Sequence, residues 1–131
     1  MQRPKIPPPT YALLCAEFVS AAEGKAEVRF RPTEEMTNPY GAVQGGLLAA
    51  MMDDTVGPAM FSLSLVRPFT TVAMTTHYLR AVRPGDVILG HSEVIKAGRT
   101  QALIEARLVR ESDGELLAKA SITNVFLDPT R

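Results

Sequence analysis

Residues 38–58 read NPYGAVQGGLLAAMMDDTVGP, and this stretch decides how the rest of the chain must be arranged. Its first part is turn chemistry. Asn38, Pro39 and Gly41 break regular structure, and the glycine pair Gly45 and Gly46 lets the backbone come close to a neighbour or a ligand. From Leu47 to Met60 nearly every position is apolar or small: Leu47, Leu48, Ala49, Ala50, Met51, Met52, Val56, Ala59, Met60. A helix with no polar stripe is a buried helix. Into that apolar cylinder the chain places two adjacent acids, Asp53 and Asp54, although Asp is a poor helix former and a buried charge is costly unless paired. The acids therefore call for a reason.

Working outward, the flanking segments read as strands. Residues 13–21 and 26–31 precede the helix, joined by a turn at Gly24. In the second strand Ala26, Val28 and Phe30 alternate with Glu27, Arg29 and Arg31. Four strand-like runs follow it, over residues 70–82, 87–96, 100–110 and 115–127. Their junctions carry Arg83-Pro84-Gly85-Asp86, Ala97-Gly98-Arg99 and Ser112-Asp113-Gly114. Short turns make antiparallel neighbours. One wholly apolar helix beside six antiparallel strands has one economical arrangement, an α+β fold in which the six-stranded sheet wraps around one long central helix. With 131 residues and no repeat or linker, the expectation is a single domain over residues 1–131. Pro4, Pro7, Pro8 and Pro9 make residues 1–12 an extended surface arm that does not join a helix. One curled sheet does not cover every side of such a helix, so a second copy is expected to cover the rest.

The helix start is itself a chemical feature. The first N–H groups of a helix have no internal partner and carry partial positive charge, so the amides near Gln44, Gly45 and Gly46 suit an oxyanion or a polarised carbonyl. Tight helix–sheet packing would also explain the two glycines. Asp53 lies eight residues beyond Gly45, roughly 12 Å along a helix axis, whereas a reacting atom must sit about 3 Å from both its donor and its base. One helix does not supply both. If the two features share a site, Asp53 comes from a neighbouring copy whose helix runs antiparallel, which gives a dimer two equivalent sites. A carboxylate set among apolar side chains is a better base, suited to activating water or attacking a carbonyl. Asp54 reads as structural, with Thr55 or an arginine as its donor, while Pro58 leaves the Asp54 carbonyl without its helical donor.

These residues resemble a known family, the hotdog-fold acyl-CoA thioesterases, in the branch typified by the phenylacetate-degradation (PaaI-like) thioesterases. That branch has an Asn, a Gly three residues on, His-Gly-Gly opening the central helix, and an acid nine residues after the His. Here Asn38, Gly41, Gln44, Gly45, Gly46 and Asp53 fall at those offsets, with Gln44 in place of the usual His. Two strands before the helix and four after it extend the likeness over residues 13–127.

The resemblance implies hydrolysis of an acyl-CoA thioester with its carbonyl polarised by the Gly45 amide. Asp53 of a facing subunit then activates water or attacks directly, and Asn38 holds the water or the loop. Thr71 is the position similar to a small hydroxyl residue that lies near the acid. The family is usually a dimer of dimers. Gln44 can donate a hydrogen bond but cannot relay a proton near neutral pH; since the polarising contact is backbone and the base is the acid, hydrolysis is expected to survive. A rival reading, motivated by Gln44, is a non-catalytic protein that binds acyl-CoA as sensor or carrier; another is an oligomerisation module.

Other residues carry less. His77 and His91 stand singly on strands and read as sheet residues, so no metal and no cofactor is expected. Arg80, Arg83, Lys96 and Arg99 cluster near strand ends and could meet the phosphates of coenzyme A. The six methionines read as core, with thioethers able to line an acyl pocket. Basic and acidic residues balance at 14 each, which points away from nucleic acid and anionic membranes. A lone Cys15 in an apolar run reads as a packing residue and suggests a reducing compartment. The apolar run of residues 11–16 is too short for a signal peptide or a membrane span, so the cytoplasm is the expected location.

Overall fold

The computed structural model describes residues 5–128; Pro4 and the rest of residues 1–4 of the expected arm lie outside the described residues. Six antiparallel strands form one sheet: β1 (Ala16–Ala22), β2 (Lys25–Phe30), β3 (Phe69–Tyr78), β4 (Ile88–Ala97), β5 (Gln101–Arg110) and β6 (Leu116–Phe126). Their order is β1-β2-β4-β5-β6-β3, so β1 and β3 are the two edges. Alternation drives the pairing, and Ala26, Val28 and Phe30 on β2 face inward as their spacing requires. Gly24, Gly85 and Gly114 take positive φ at three of the turns. The inner face curls around the helical segment, the architecture the resemblance implies.

That segment comes in two pieces, α2 (Gly45–Asp54) and α3 (Val56–Phe61), with a hitch at Thr55. Pro58 has no N–H for the Asp54 carbonyl, and Thr55 turns its hydroxyl back to the Met52 carbonyl at 2.6 Å. Ser92 on β4 donates to the Thr55 carbonyl at 2.9 Å, tying the hitch to the sheet. Leu48, Met51, Met52, Val56, Ala59 and Met60 are buried against Phe30, Ile88, Ile104, Leu108, Leu117 and Ile122. The opposite stripe, with Gly45, Ala49, Ala50, Asp53, Asp54 and Gly57, stays half open. The helix is thus not covered all round by its own sheet.

Three expectations need correction. The proline-rich lead-in does enter a helix, a single turn α1 (Thr10–Leu13) with Pro9 at its N-cap, and β1 starts only at Ala16. Proline costs nothing at a helix start, where N–H groups lack partners anyway, and burial of Tyr11 and Leu14 fixes the turn. Cys15 is exposed rather than packed: it sits at φ +51° in the bend after Leu14, which takes the core position. β3 ends at Tyr78, short of residue 82, because the Leu79 and Arg80 amides both turn to the Leu117 carbonyl.

Candidate active site

At the N-terminus of α2 the approach loop is held by its own backbone. Asn38 Oδ1 accepts from the amides of Tyr40 (2.9 Å) and Ala42 (3.2 Å), and Gly41 follows at φ +83°. The Val43 amide donates to the Val82 carbonyl and the Gln44 amide to the Met36 carbonyl. Gln44, extended at φ −62° and ψ 137°, is the N-cap residue but makes no side-chain cap. Among the described residues nothing accepts from the Gly45 and Gly46 amides, so both are available at the positive end of the helix.

Tyr78 closes one side of this end: its hydroxyl donates to the Gly45 carbonyl at 2.7 Å. A Cβ at residue 45 would meet the Tyr78 ring at 3.1 Å, so glycine is what lets the ring lie there. No spacing rule links Tyr78 to the glycines, and only the strand-end aromatic hinted at it.

Asp53 lies at the other end of α2. Its Oδ1 is 2.7 Å from Thr71 Oγ1 on β3, and the same hydroxyl is 2.8 Å from Asn124 Oδ1 on β6. Thr71 and Asn124 face each other in the β3–β6 register, which slips between Thr71 and Ala73. That bulge places Thr71 on the helix side three residues before inward-facing Met74; strict alternation would put the two on opposite faces. Sequence reasoning missed Asn124. The available signal was an Asn amid a β-branched strand run, a place where Asn is depleted.

Asp54 accepts from the Thr10 hydroxyl of α1 at 2.6 Å, and not from Thr55 or an arginine. Burial raises its pKa, the Thr10 hydrogen bond pulls the other way, and neighbouring Asp53 raises it further. The Tyr11 phenol beside it is likewise pushed up, first by burial and then by Asp54. Both acids line a cavity of about 700 Å³ whose other walls include Pro8, Tyr11, Phe18, Phe61 and Phe69. An apolar chamber with a carboxylate in its wall suits an apolar group joined to a reactive carbonyl.

Within one chain, Gly45 and Asp53 stay at opposite ends of α2, Gly45 beside Tyr78 and Asp53 beside Thr71. The four basic residues do not cluster either. Arg80 and Arg83 follow β3 at the Gly45 end, Arg80 paired with Glu115 at 2.8 Å, while Lys96 near the end of β4 and Arg99 in the β4–β5 turn lie at the Asp53 end. Antiparallel pairing of β3, β6 and β5 sends those segments to opposite sheet ends. His91 sits 3.6 Å from Glu27 on the outer face, its pKa lowered by burial and then by Arg107. Among the described residues no group of three His, Cys, Asp or Glu side chains could hold a metal, and no helix is long and apolar enough to cross a membrane.

A family model described as Thioesterase superfamily matches residues 40–117. Acyl-coenzyme A thioesterase 13 of Homo sapiens is 31% identical over 106 residues, covering 81% of this chain and 76% of its own. Among solved structures, zebrafish thioesterase superfamily member 2 is 31% identical at a TM-score of 0.82, covering 92% of this chain and 87% of the other. The Escherichia coli PaaI protein, from the phenylacetic acid degradation operon, shares the fold at a TM-score of 0.81 with 23% identity, covering 88% and 86%.

Proposed function

This chain belongs to the thioesterase superfamily, and on that premise we propose that it hydrolyses acyl-coenzyme A thioesters to the free acid and coenzyme A, at sites shared between two subunits. The observation that carries the proposal is the pair of unengaged amides at Gly45 and Gly46 on the same helix as Asp53. The Gly45 amide donates to the thioester carbonyl oxygen and stabilises the oxyanion as it forms. Asp53 of the partner subunit takes a proton from water, the water oxygen bonds to the carbonyl carbon, and the carbon–sulfur bond breaks. The coenzyme A thiolate then takes the proton that Asp53 holds, which restores the carboxylate. Alternatively an Asp53 oxygen attacks first, giving an anhydride that water opens; single turnover in oxygen-18 water separates the routes, because only the second leaves label in the protein carboxylate.

Asn38 keeps the loop that presents the amides. The apolar cavity beside Asp53 takes the acyl body, and no metal or redox cofactor is needed for any step. Arg99, on a turn at the acid end, is a candidate for the phosphates of coenzyme A. Two copies seated antiparallel bring each Gly45 to the other's Asp53 and cover the half-open stripe of α2; two such dimers give the tetramer.

Release of free thiol from a panel of acyl-coenzyme A substrates tests the activity. Turnover by the unaltered protein, with Asp53→Ala folded and inactive, is the expected result. Binding without turnover would favour the acyl-CoA carrier reading that Gln44 motivates, and neither would leave an assembly module. Gln44→His is expected to change kcat/KM less than Asp53→Asn does.

Sharing of the site is tested by mixing Asp53→Ala with Gly45→Pro after co-refolding. Proline at the first helical position removes the N–H and extended Gln44 tolerates it, while the half-exposed Tyr78 ring shifts from the new Cβ, which it would otherwise meet at 3.1 Å. Random pairing gives hybrids with one intact site, hence about a quarter of the parent activity. No recovery would refute a site built from Gly45 of one subunit and Asp53 of the other.

A further inference from the structure

We infer that Asn124 is the positioning residue for Asp53, acting through Thr71. The inference rests on Asp53 being the reacting acid. Asn124 is 1% exposed, and its Nδ2 has no hydrogen-bond partner among the described residues. A hydroxyl carries one proton, yet Thr71 Oγ1 lies within bonding distance of two oxygens, Asp53 Oδ1 and Asn124 Oδ1. With Asp53 ionised, Thr71 cannot serve both. An amide turned by 180° about its terminal bond presents Nδ2 where Oδ1 stood, with no other change of shape. The chain then runs in one direction: Asn124 Nδ2 donates to Thr71 Oγ1, and Thr71 donates to Asp53 Oδ1.

Oδ1 of Asp53 is thus occupied by Thr71, which leaves Oδ2 for the water or the carbonyl carbon. Once Oδ2 has taken a proton from water, Oδ1 still accepts from Thr71, so the chain keeps its direction. Aspartate or leucine at residue 124 would supply no donor to hold the Thr71 hydroxyl toward Asp53.

Structure alone gives no reason to keep an amide here. As placed, its Nδ2 is buried without a hydrogen-bond partner among the described residues, and such an atom costs free energy that an apolar side chain of the same size avoids. The bulge at Thr71 supplies the second half of the device, because it is what turns the hydroxyl toward the helix opposite Asn124.

The test compares Asn124→Leu, Thr71→Val and the double variant in steady-state hydrolysis of an acyl-coenzyme A that the unaltered protein turns over. Asn124→Leu is expected to lower kcat roughly tenfold to a hundredfold, with KM within about twofold and thermal stability equal or higher. The double variant should be no slower than Thr71→Val alone, because the amide acts only through the hydroxyl. An unchanged kcat, a change confined to KM, or a full additional loss in the double variant would overturn the inference.

A readout independent of turnover follows the side-chain amide resonances of Asn124, identified by their disappearance in Asn124→Leu. They should move in both Thr71→Val and Asp53→Asn; resonances unmoved by either change refute the chain. If no acyl-coenzyme A is hydrolysed, the thioesterase proposal fails while these resonances still decide whether the three residues are coupled.

Discussion

Two glycines on either side of the helix do different work, and the difference is testable. A Cβ at Gly90 would stand 2.9 Å from Phe30 Cε2 and 3.0 Å from Thr55 Cγ2, in the notch where the helix hitch crosses β4. Gly90→Ala is therefore expected to destabilise the fold by about 1–3 kcal/mol through overpacking, measured by urea unfolding. A change below about 0.5 kcal/mol would show that the notch relaxes freely. Gly45→Pro should cost less stability, because its Cβ crowds only the half-exposed Tyr78 ring, at 3.1 Å, while kcat drops by roughly 10²–10³, the usual cost of losing one oxyanion donor. Retained turnover in a folded Gly45→Pro protein would remove Gly45 from the mechanism. Both positions read simply as glycine in the sequence. Gly45 is singled out by its place at a helix start, whereas Gly90 has no local signal, since the atoms that crowd it belong to residues 30 and 55.

At the level of elements, the turn α1 is fastened to α2 by the Thr10–Asp54 hydrogen bond at the mouth of the apolar cavity. Asp54 is held above the ordinary carboxylate range by burial, so the folded chain binds more protons than the unfolded chain between the two values. Its charge then opposes folding above that window, and stability is lost as pH rises through it. Asp54→Asn keeps an acceptor for Thr10 and removes the charge. The variant should match the parent in thermal midpoint below about pH 3, where Asp54 is protonated in both states, and exceed it at pH 7. A gap that does not vary with pH would refute this account.

The helix, the four later strands and most of their turns were legible because periodicity and Gly-Asp chemistry are local. The turn α1 was not, because tertiary burial of Tyr11 and Leu14 overrides the proline run. Nor was the bulge in β3, which depends on pairing with Thr123 and Asn124 rather than on anything within residues 69–78.

For the whole molecule, the half-open stripe of α2 lies beside the free edge strand β3, where Val72 is 55% exposed. An exposed apolar edge next to an uncovered helix face is where a second copy would seat. Val72→Asp is expected to shift the protein toward monomer in sedimentation and to abolish turnover together, with the far-ultraviolet circular dichroism spectrum retained. A monomer that keeps full activity would end the shared-site proposal. The fold was readable from sequence as one economical packing of one apolar helix and six strands; of the candidate site, Gly45 and Asp53 were named from their spacing and Thr71 from the resemblance, and the structure sets Thr71 beside Asp53. Asn124 and Tyr78 were out of reach because each acts on a residue more than 30 positions away.

Any such measurement must reckon with Cys15, the chain's sole cysteine, which stands on the surface. Air oxidation can weld two chains through this thiol into a species of doubled mass with no bearing on native association. Sizing therefore belongs in reductant or in a Cys15→Ser background. By the same token the thiol is a single attachment point for a fluorophore, and distances between dyes on neighbouring chains would report their arrangement.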